Sequence, residues 1–272
     1  MLKDIIAIID TGDKDDSFIH DALAFARFHD THLTFVMVVP TVSPDYAMLV
    51  EPTYFQISDY AKSAENKQAR VVALARHEKV EVRLIRQQSD ALMDQLVVQS
   101  RYADLVLLGQ PEAYGTPKFR RAAAETISLG SGRPVLIITP GMTPCKWNHI
   151  VVGWNSSPEA TRALHDAIAF IEPGSKIDIA IVDPVESDKG HGEALGQDIA
   201  RHLSRHDFVV EVHSISSVST KVSTALMDLT RKRGADLLVI GVIAHSGFYK
   251  FVMGGVTDDV LYKADVPVFL AH

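Results

Sequence analysis

Cysteine is nearly absent from this 272-residue chain, and long apolar runs are absent altogether. The one thiol, Cys145, cannot form an intramolecular disulfide or a cysteine-based zinc site, so nothing indicates an oxidising compartment. No run approaches the roughly 18 apolar residues of a membrane span, and the first ten residues enter a strand-like segment without a signal-peptide pattern. We therefore expect a cytoplasmic protein without a membrane partner, in which Cys145 is a bystander.

Basic residues are fewer than acidic ones, so the net charge is −7 and the pI is near 5.9. This balance excludes the positive footprint that binding to a phosphate backbone requires, so we expect no nucleic-acid partner. Hydrophobic residues make up 47% of the chain and charged residues 22%, as in soluble globular proteins. A chain of this length is long for one domain and sufficient for two of about 130–140 residues each.

The sequence contains an internal duplication. Three pairs of segments align in the same order: 5–10 with 150–155, 103–109 with 235–241, and 133–137 with 266–270. Such self-similarity indicates two copies of one structural unit. The first copy is longer, and the three prolines within 40–53 mark the extra loop. We predict domains at 1–142 and 148–272, with a linker at 140–148 that two prolines and a glycine keep free of regular structure.

Aliphatic runs alternate with helical patterns in both copies. The predicted strands are 5–9, 33–39, 80–85, 104–108 and 134–138 in the first copy, and 150–153, 177–182, 208–215, 236–240 and 267–271 in the second. The predicted helices are 18–28, 58–78 and 90–101, then 158–171, 192–206 and 220–233, with one more before each last strand. This alternation indicates an α/β fold of two tandem five-stranded, doubly wound parallel sheets.

In such sheets, ligands bind at the carboxyl ends of the strands. After strand four of the second copy, Gly241 and Ala244 permit close backbone approach, and Gly254–Gly255 precede a helical stretch that contains Thr257. Backbone N–H groups at a helix N-terminus form an anion site. The alternative is that Gly241 only ends a strand and the glycine pair only makes a turn.

Two further segments of the second copy lead into the same crevice. Asn155 offers a donor and an acceptor to a base or a ribose, although Asn155, Ser156 and Ser157 equally suit the start of the next helix. Strand two ends at Val182 and Asp183, where main-chain groups would lie beside the crevice.

The first copy differs after its strand four. It keeps Asp10 after strand one, but Pro111 and Pro117 remove N–H donors and Glu112 adds negative charge where an anion would sit. We expect no nucleotide in the first copy.

These residues together resemble the universal stress protein family in its tandem, two-domain bacterial form, and the resemblance covers nearly all of the chain. Nucleotide-binding members carry Gly-x-x-Gly, nine residues and then Gly-Ser/Thr after strand four. Here Gly241-x-x-Ala244 and Gly254–Gly255 keep the nine-residue spacing. Ala244 and Gly255 depart from the family pattern, and the family's acidic residue after strand one falls on Asn155.

The resemblance implies a Rossmann-like, adenine nucleotide α-hydrolase-like fold and binding of ATP or AMP, with or without Mg²⁺, in a regulatory role in the stress response. It also implies an internal pseudo-dimer in which the final strand, 266–271, pairs with its counterpart in the other copy. Whether two chains then form a homodimer stays open. The residues expected at the nucleotide are Gly153, Trp154, Asn155, Val182, Asp183, Gly241, Ala244, His245, Ser246, Gly254, Gly255, Val256 and Thr257.

Other classes of function stay open. A nucleotide-independent scaffold or interaction module would leave both crevices vestigial. We do not expect an enzyme, since no Lys stands in the glycine loop and no Ser/His/Asp order is evident, although slow ATP hydrolysis could use His245 and Asp183. We expect no metal site either, because His202 and His206 share a helix face without an evident third ligand.

Overall fold

The computed structural model describes residues 2–41, 53–75, 80–115, 117–142, 146–184, 196–218, 220–245, 252–253 and 255–272. The chain divides into two compact units, Met1–Pro144 and Cys145–His272. Each unit alternates strands with helices, as the duplication predicts. Within the described residues, no helix has both the length and the apolar character that crossing a membrane requires.

In its described residues, the first unit is a five-stranded parallel sheet with four α-helices. Its elements are β1 (Asp4–Ile9), α1 (Asp16–His29), β2 (His32–Thr41), α2 (Thr53–Leu74), β3 (Val80–Gln88), α3 (Ser89–Ser100), β4 (Leu105–Leu108), a 3₁₀ turn (Pro111–Ala113), α4 (Pro117–Gly130) and β5 (Val135–Ile137). The strand order is β3-β2-β1-β4-β5. All four pairings are parallel, so the doubly wound topology is confirmed for this copy.

The second unit repeats this plan. Its elements are β6 (Trp147–Gly153), α5 (Pro158–Ile168), β7 (Ile171–Val182), α6 (Gln197–Ser204), β8 (Val209–Ile215), α7 (Val222–Arg233), β9 (Leu237–Gly241), β10 (Ala244–His245), β11 (Val252–Met253), α8 (Gly255–Lys263) and β12 (Val268–Ala271). The parallel sheet has the order β8-β7-β6-β9-β12. The short strands β10 and β11 form a separate antiparallel pair that the sequence pattern does not predict.

The central strands are largely apolar, as expected where helices cover both faces of a parallel sheet. Residues 5–9 of β1 and 105–108 of β4 are at most 4% exposed. Helix α5 shows how local sequence starts a helix. Ser157 accepts a hydrogen bond from the Ala160 N–H on its Oγ (3.1 Å), and Pro158 occupies the first helical turn. Of the candidate capping residues, Ser157 is therefore the N-cap.

Several predicted boundaries are wrong. The strand predicted at 177–182 begins at Ile171, and the helix predicted at 58–78 begins at Thr53. The helix predicted at 158–171 ends at Ile168, and Ile171 already belongs to β7, because Pro173 and Gly174 cannot continue a helix. The predicted linker is shorter than 140–148, since Trp147 begins β6 and is 2% exposed. The helix predicted at 192–206 starts only after Gly196, whose φ of +71° is not helical. Cys145 and most of the predicted extra loop at 40–53 lie outside the described residues.

Candidate functional site

A pocket of about 290 Å³ opens at the carboxyl ends of β6, β7 and β9 in the second unit. The chain leaves β6 toward β7 on one side while β9 lies on the other, so this is the switch point of the sheet, where doubly wound folds bind ligands. The pocket is lined by Gly153, Trp154, Asn155, Ala160, Ala180, Val182, Val222, Leu226, Ile240, Gly241, Ile243, Gly255, Val256 and Thr257. Its wall is mostly apolar, and its polar groups come from loop ends and from the first turn of α8.

Gly241 brings the start of α5 against the end of β9. A Cβ atom at this position would lie 2.5 Å from both the Ala160 nitrogen and the Glu159 carbonyl carbon, closer than any real contact. The small residue after strand four is thus required by helix packing, and this packing holds the N-terminus of α5 at the pocket. From the sequence we expected Gly241 to let a ligand come close to the backbone. In the structure, the backbone of Glu159 and Ala160 packs against Gly241 instead.

Asn155 forms a tight turn between β6 and α5. Its Oδ1 accepts a hydrogen bond from the Ser157 N–H (3.2 Å), which leaves the amide NH₂ as the donor that can meet a ligand in the pocket. In the first unit, Asp10 makes the same turn with the Gly12 N–H (2.8 Å). An acid and an amide therefore serve one structural role at matching positions.

The N-terminus of α8 forms the other rim of the pocket. Gly255, Val256 and Thr257, the first residues of this nine-residue helix, all line it. A Cβ atom on Gly255 would meet nothing within 4 Å, so this position faces open space. Thr257 is 3% exposed and belongs to the wall. The N–H groups in the first turn of a helix lack intrahelical partners and carry partial positive charge, which suits an anion.

Asp259 ties together the two helices that flank the pocket. Its carboxylate accepts hydrogen bonds from Lys221 (2.8 Å) and Ser223 (3.1 Å) at the start of α7, and from Lys263 (3.2 Å) in α8. The bonds from Lys221 and Lys263 lower the pKa of Asp259 to about 2. The α7 and α8 walls are therefore linked by a carboxylate that stays ionised at any ordinary pH.

The matching crevice of the first unit is filled by its own chain. The 3₁₀ turn after β4 brings Tyr114, which is 3% exposed, over the strand ends. The hydroxyl of Tyr114 donates to the Ile8 carbonyl (3.0 Å) and accepts from the Gly109 N–H (3.1 Å), so it bridges β1 and β4. Burial raises the pKa of Tyr114 above its ordinary value, which keeps the hydroxyl protonated.

Two other side chains complete this closure. Asp10 Oδ2 accepts from the Gly115 N–H (2.8 Å), which fastens the loop that carries Tyr114. Arg120, fully buried in α4, donates from Nε to the Gly109 carbonyl (3.0 Å).

The structure brings most of the predicted site residues together. Eight of the thirteen line the pocket: Gly153, Trp154, Asn155, Val182, Gly241, Gly255, Val256 and Thr257. Asp183 follows Val182, but its carboxylate binds Ser217, accepting from that residue's backbone N–H (2.7 Å) and hydroxyl. These two bonds lower the pKa of Asp183 and hold the side chain to the β8 side.

The remaining predicted residues belong to the segment after β9. Ala244 and His245 form β10, whose backbone pairs with Met253 and Val252 of β11. Ser246 and Gly254 lie outside the described residues.

Sequence reasoning missed the apolar wall of the pocket. Six residues that were not predicted line it: Ala160, Ala180, Val222, Leu226, Ile240 and Ile243, of which only Ile243 lies within the loop motif. One signal was available, because Ala180 and Val182 are two residues apart on β7 and therefore share a face of the sheet. The helix residues gave no such signal.

Comparisons with known proteins agree with this architecture. The model of the universal stress protein family matches residues 1–138 and 146–272. The crystal structure of a universal stress protein from Archaeoglobus fulgidus DSM 4304 matches with a TM-score of 0.66 and 16% identity, covering 98% of this chain and 95% of that one. A functionally unknown protein from Pseudomonas aeruginosa PAO1 matches with a TM-score of 0.53 and 13% identity, covering 99% of this chain and 92% of that one. No curated protein matches significantly.

Two doubly wound α/β units with their crevices at the strand ends define a tandem Rossmann-like protein. The chain belongs to the universal stress protein family, since the family model matches both copies over almost their whole length. Two family segments in one chain fit the predicted internal pseudo-dimer.

Proposed function

We propose that the chain is a regulatory protein of the stress response that holds an adenine nucleotide, ATP or AMP, in the pocket of its second unit. The observation that carries this proposal is an open, mostly apolar pocket of about 290 Å³ with a helix N-terminus at its rim. The apolar wall that includes Ala180, Leu226 and Ile240 suits the flat face of a base. The first turn of α8 suits a phosphate group.

The pocket is suited to holding a nucleotide rather than to hydrolysing it. Among the lining residues that the structure describes, none carries a charge or a general base. Asp183, the one acid among the thirteen predicted site residues, accepts a hydrogen bond from the Ser217 N–H. We therefore propose binding without turnover, with any Mg²⁺ held by the phosphates of ATP and not by a carboxylate in the wall.

Isothermal titration calorimetry of ATP, ADP and AMP, each with and without Mg²⁺, tests this function. We expect at least one nucleotide to bind, and a concentration of 100 times its Kd to stabilise the folded chain by about 2.7 kcal/mol. The absence of both heat and a thermal shift for all three nucleotides would overturn the proposal.

A matched pair of variants at Gly255 tests the location of the phosphate. The position accepts a Cβ atom, which would meet nothing within 4 Å. Gly255→Asp places a carboxylate at the proposed anion site, and one like charge a few ångströms from the phosphate is expected to weaken binding about 100-fold or more. Gly255→Asn has the same size without the charge and should bind within about threefold of the parent chain. Equal binding by the two variants would show that no phosphate lies at α8.

A nucleotide-independent scaffold is the second candidate, and the closed crevice of the first unit favours it for that copy. Tyr114 occupies the strand ends where a ligand would otherwise sit. Under this alternative, the pocket of the second unit would bind no nucleotide, and the titration above separates the two functions.

A further inference from the structure

One buried polar group at the pocket of the second unit lacks a hydrogen-bond partner. Thr257 lines the pocket from the first turn of α8 and is 3% exposed. Its hydroxyl makes no hydrogen bond with any residue that the structure describes. A buried hydroxyl without a partner costs free energy, so folded proteins rarely leave one unsatisfied. The pocket is the side from which a bound ligand can supply the missing partner of Thr257.

Two helices begin at this pocket. Val222 is the first residue of α7 and Gly255 the first residue of α8, and both line the pocket. The N–H groups in the first turn of a helix carry partial positive charge. The beginnings of α7 and α8 therefore both favour negative charge on a ligand in the pocket.

Lys221, which immediately precedes α7, adds a full positive charge beside the start of α8. Its Nζ lies 2.8 Å from Oδ2 of Asp259. Asp259 follows Gly255 by four residues, so the two positions share one face of α8, and helical side chains lean toward the N-terminus of their helix. The carboxylate that holds Lys221 therefore belongs to a position one helical turn, about 5 Å along the axis, from Gly255.

The ammonium of Lys221 can turn toward a second anion without leaving Asp259 unpaired. Ser223 (3.1 Å) and Lys263 (3.2 Å) donate hydrogen bonds to the same carboxylate. The side chain of Lys221 is 69% exposed, so solvent surrounds much of it. Because two lysines share one carboxylate, this cluster carries a net positive charge and attracts an anion.

We propose that the pocket prefers nucleotides with two or three phosphates to AMP, and that Lys221 is the residue that makes this distinction. The hydroxyl of Thr257 and the first turn of α8 hold the phosphate attached to the ribose. Lys221 pairs with the phosphates beyond it, which AMP lacks. This inference rests on the proposed function, to which it adds the number of phosphates that the pocket recognises.

Calorimetric titration of the full-length chain with ATP and with AMP, both without Mg²⁺, tests the role of Lys221. In Lys221→Met, the Kd for ATP should rise about tenfold or more, as expected for the loss of a charge-assisted hydrogen bond, while the Kd for AMP should stay within about threefold. Lys221→Arg keeps the charge and should keep the preference for ATP. An equal change for the two nucleotides, or no change for ATP, would overturn the proposal and leave the proposed function standing.

Lys263→Met is the matched control for the charge. It removes a lysine from the same carboxylate, but Lys263 follows Gly255 by eight residues, about 12 Å along the axis of α8. The Kd values for ATP and AMP should both stay within about threefold of those of the parent chain. If Lys263→Met weakened ATP binding as much as Lys221→Met, the selectivity would not come from Lys221, and the proposal would be wrong.

Thr257→Val tests the hydroxyl group separately from the lysine. Valine has the shape of threonine, and no hydrogen bond to a described residue is lost, so the midpoint of thermal unfolding should not fall. ATP and AMP should both bind about tenfold more weakly, because both contain the phosphate next to the ribose. A lower midpoint with unchanged binding would show that the hydroxyl serves the fold and does not contact a phosphate.

Inorganic tripolyphosphate, which has neither base nor ribose, separates the failure of this inference from the failure of the proposed function. If ATP, ADP and AMP all fail to bind, the nucleotide function is wrong. Tripolyphosphate binding that Lys221→Met weakens about tenfold, and that Lys263→Met leaves unchanged, would then still support a polyphosphate site at Lys221. Absence of tripolyphosphate binding in that case, or binding that does not respond to Lys221→Met, would overturn this inference as well.

Discussion

Two glycines at the pocket, Gly241 and Gly255, have opposite surroundings although they belong to the same sequence motif. A Cβ atom on Gly241 would collide with the backbone of α5, whereas one on Gly255 would enter open space. The motif indicated correctly that backbone comes close after strand four. It could not indicate which backbone, because Glu159 and Ala160 reach Gly241 only through the tertiary packing of α5 on β9.

Gly241→Ala is expected to destabilise the chain by about 1–3 kcal/mol, which is typical when a methyl group is forced into a packed interior. The added atom would lie 2.5 Å from two main-chain atoms, and main chain cannot rotate away as a side chain can. Urea denaturation measures the change in the free energy of unfolding. Gly255→Ala is the matched control and should change stability by no more than about 0.5 kcal/mol. Similar effects of the two substitutions would contradict this account of the pocket.

The pairing of Asp15 with Lys67 shows how a buried ion pair joins two helices of the first unit. Asp15 immediately precedes α1 and is 1% exposed, and Lys67 in α2 is 6% exposed with its Nζ 2.6 Å from Asp15 Oδ2. Lys67 also donates to the Gly12 carbonyl. Burial raises the pKa of Asp15 to about 6, against the opposing charge of Lys67. Desolvation of the carboxylate therefore outweighs its attraction to the lysine.

This raised pKa predicts a pH dependence of stability. A carboxyl group whose folded pKa lies above its unfolded value of 3.8 binds its proton more tightly in the folded chain. The contribution of Asp15 to the free energy of unfolding is complete below pH 3.8 and is lost as the pH rises through about 6. Its total is about 3 kcal/mol, because the pKa shift is about two units. Comparing the parent chain with Asp15→Asn from pH 4 to 8 isolates this contribution. A constant difference in stability across that range would disprove the shift.

Removing Lys67 should make the stability of the folded chain depend more strongly on pH. Lys67→Met leaves Asp15 without its cation, and we expect a loss of about 3–5 kcal/mol at pH 8 that shrinks at pH 4, where Asp15 is protonated. The double variant Asp15→Asn with Lys67→Met removes both charges and should recover most of that loss. Urea unfolding at the two pH values measures both effects. A loss equal at both pH values would show that Lys67 acts through packing alone.

Elements with strong periodicity were predictable from the sequence, while their ends depended on tertiary structure. The apolar runs of β1, β4, β9 and β12 fall within one or two residues of their predicted positions. The boundary between α5 and β7 does not, because the start of β7 depends on the pairing of Ile171 with Trp147 of β6, a contact between distant parts of the chain. The β10–β11 pair has two residues per strand, too few for any periodic signal.

At the scale of the whole molecule, the duplication produced two units with one plan and unequal crevices. From the sequence we predicted this difference because Pro111 and Pro117 remove N–H donors and Glu112 adds negative charge. The structure shows a more direct cause, because Tyr114 fills the strand ends of the first unit. A tyrosine in a loop gives no sequence signal for such a position, since its bridge between Ile8 and Gly109 depends on strands that are about a hundred residues apart along the chain.

The difference between the two crevices predicts the stoichiometry of nucleotide binding, and this prediction rests on the proposed function. The parent chain should bind one nucleotide and not two, because Tyr114 occupies the strand ends of the first unit, whereas the second unit has a pocket of about 290 Å³ there. Calorimetry at protein concentrations well above Kd gives this number directly. Gly255→Asp, which acts only on the second unit, should abolish all of the heat of binding. If half of the heat remained in that variant, the first unit would also bind nucleotide, and the hydrogen bonds of Tyr114 to Ile8 and Gly109 would have to open to admit it.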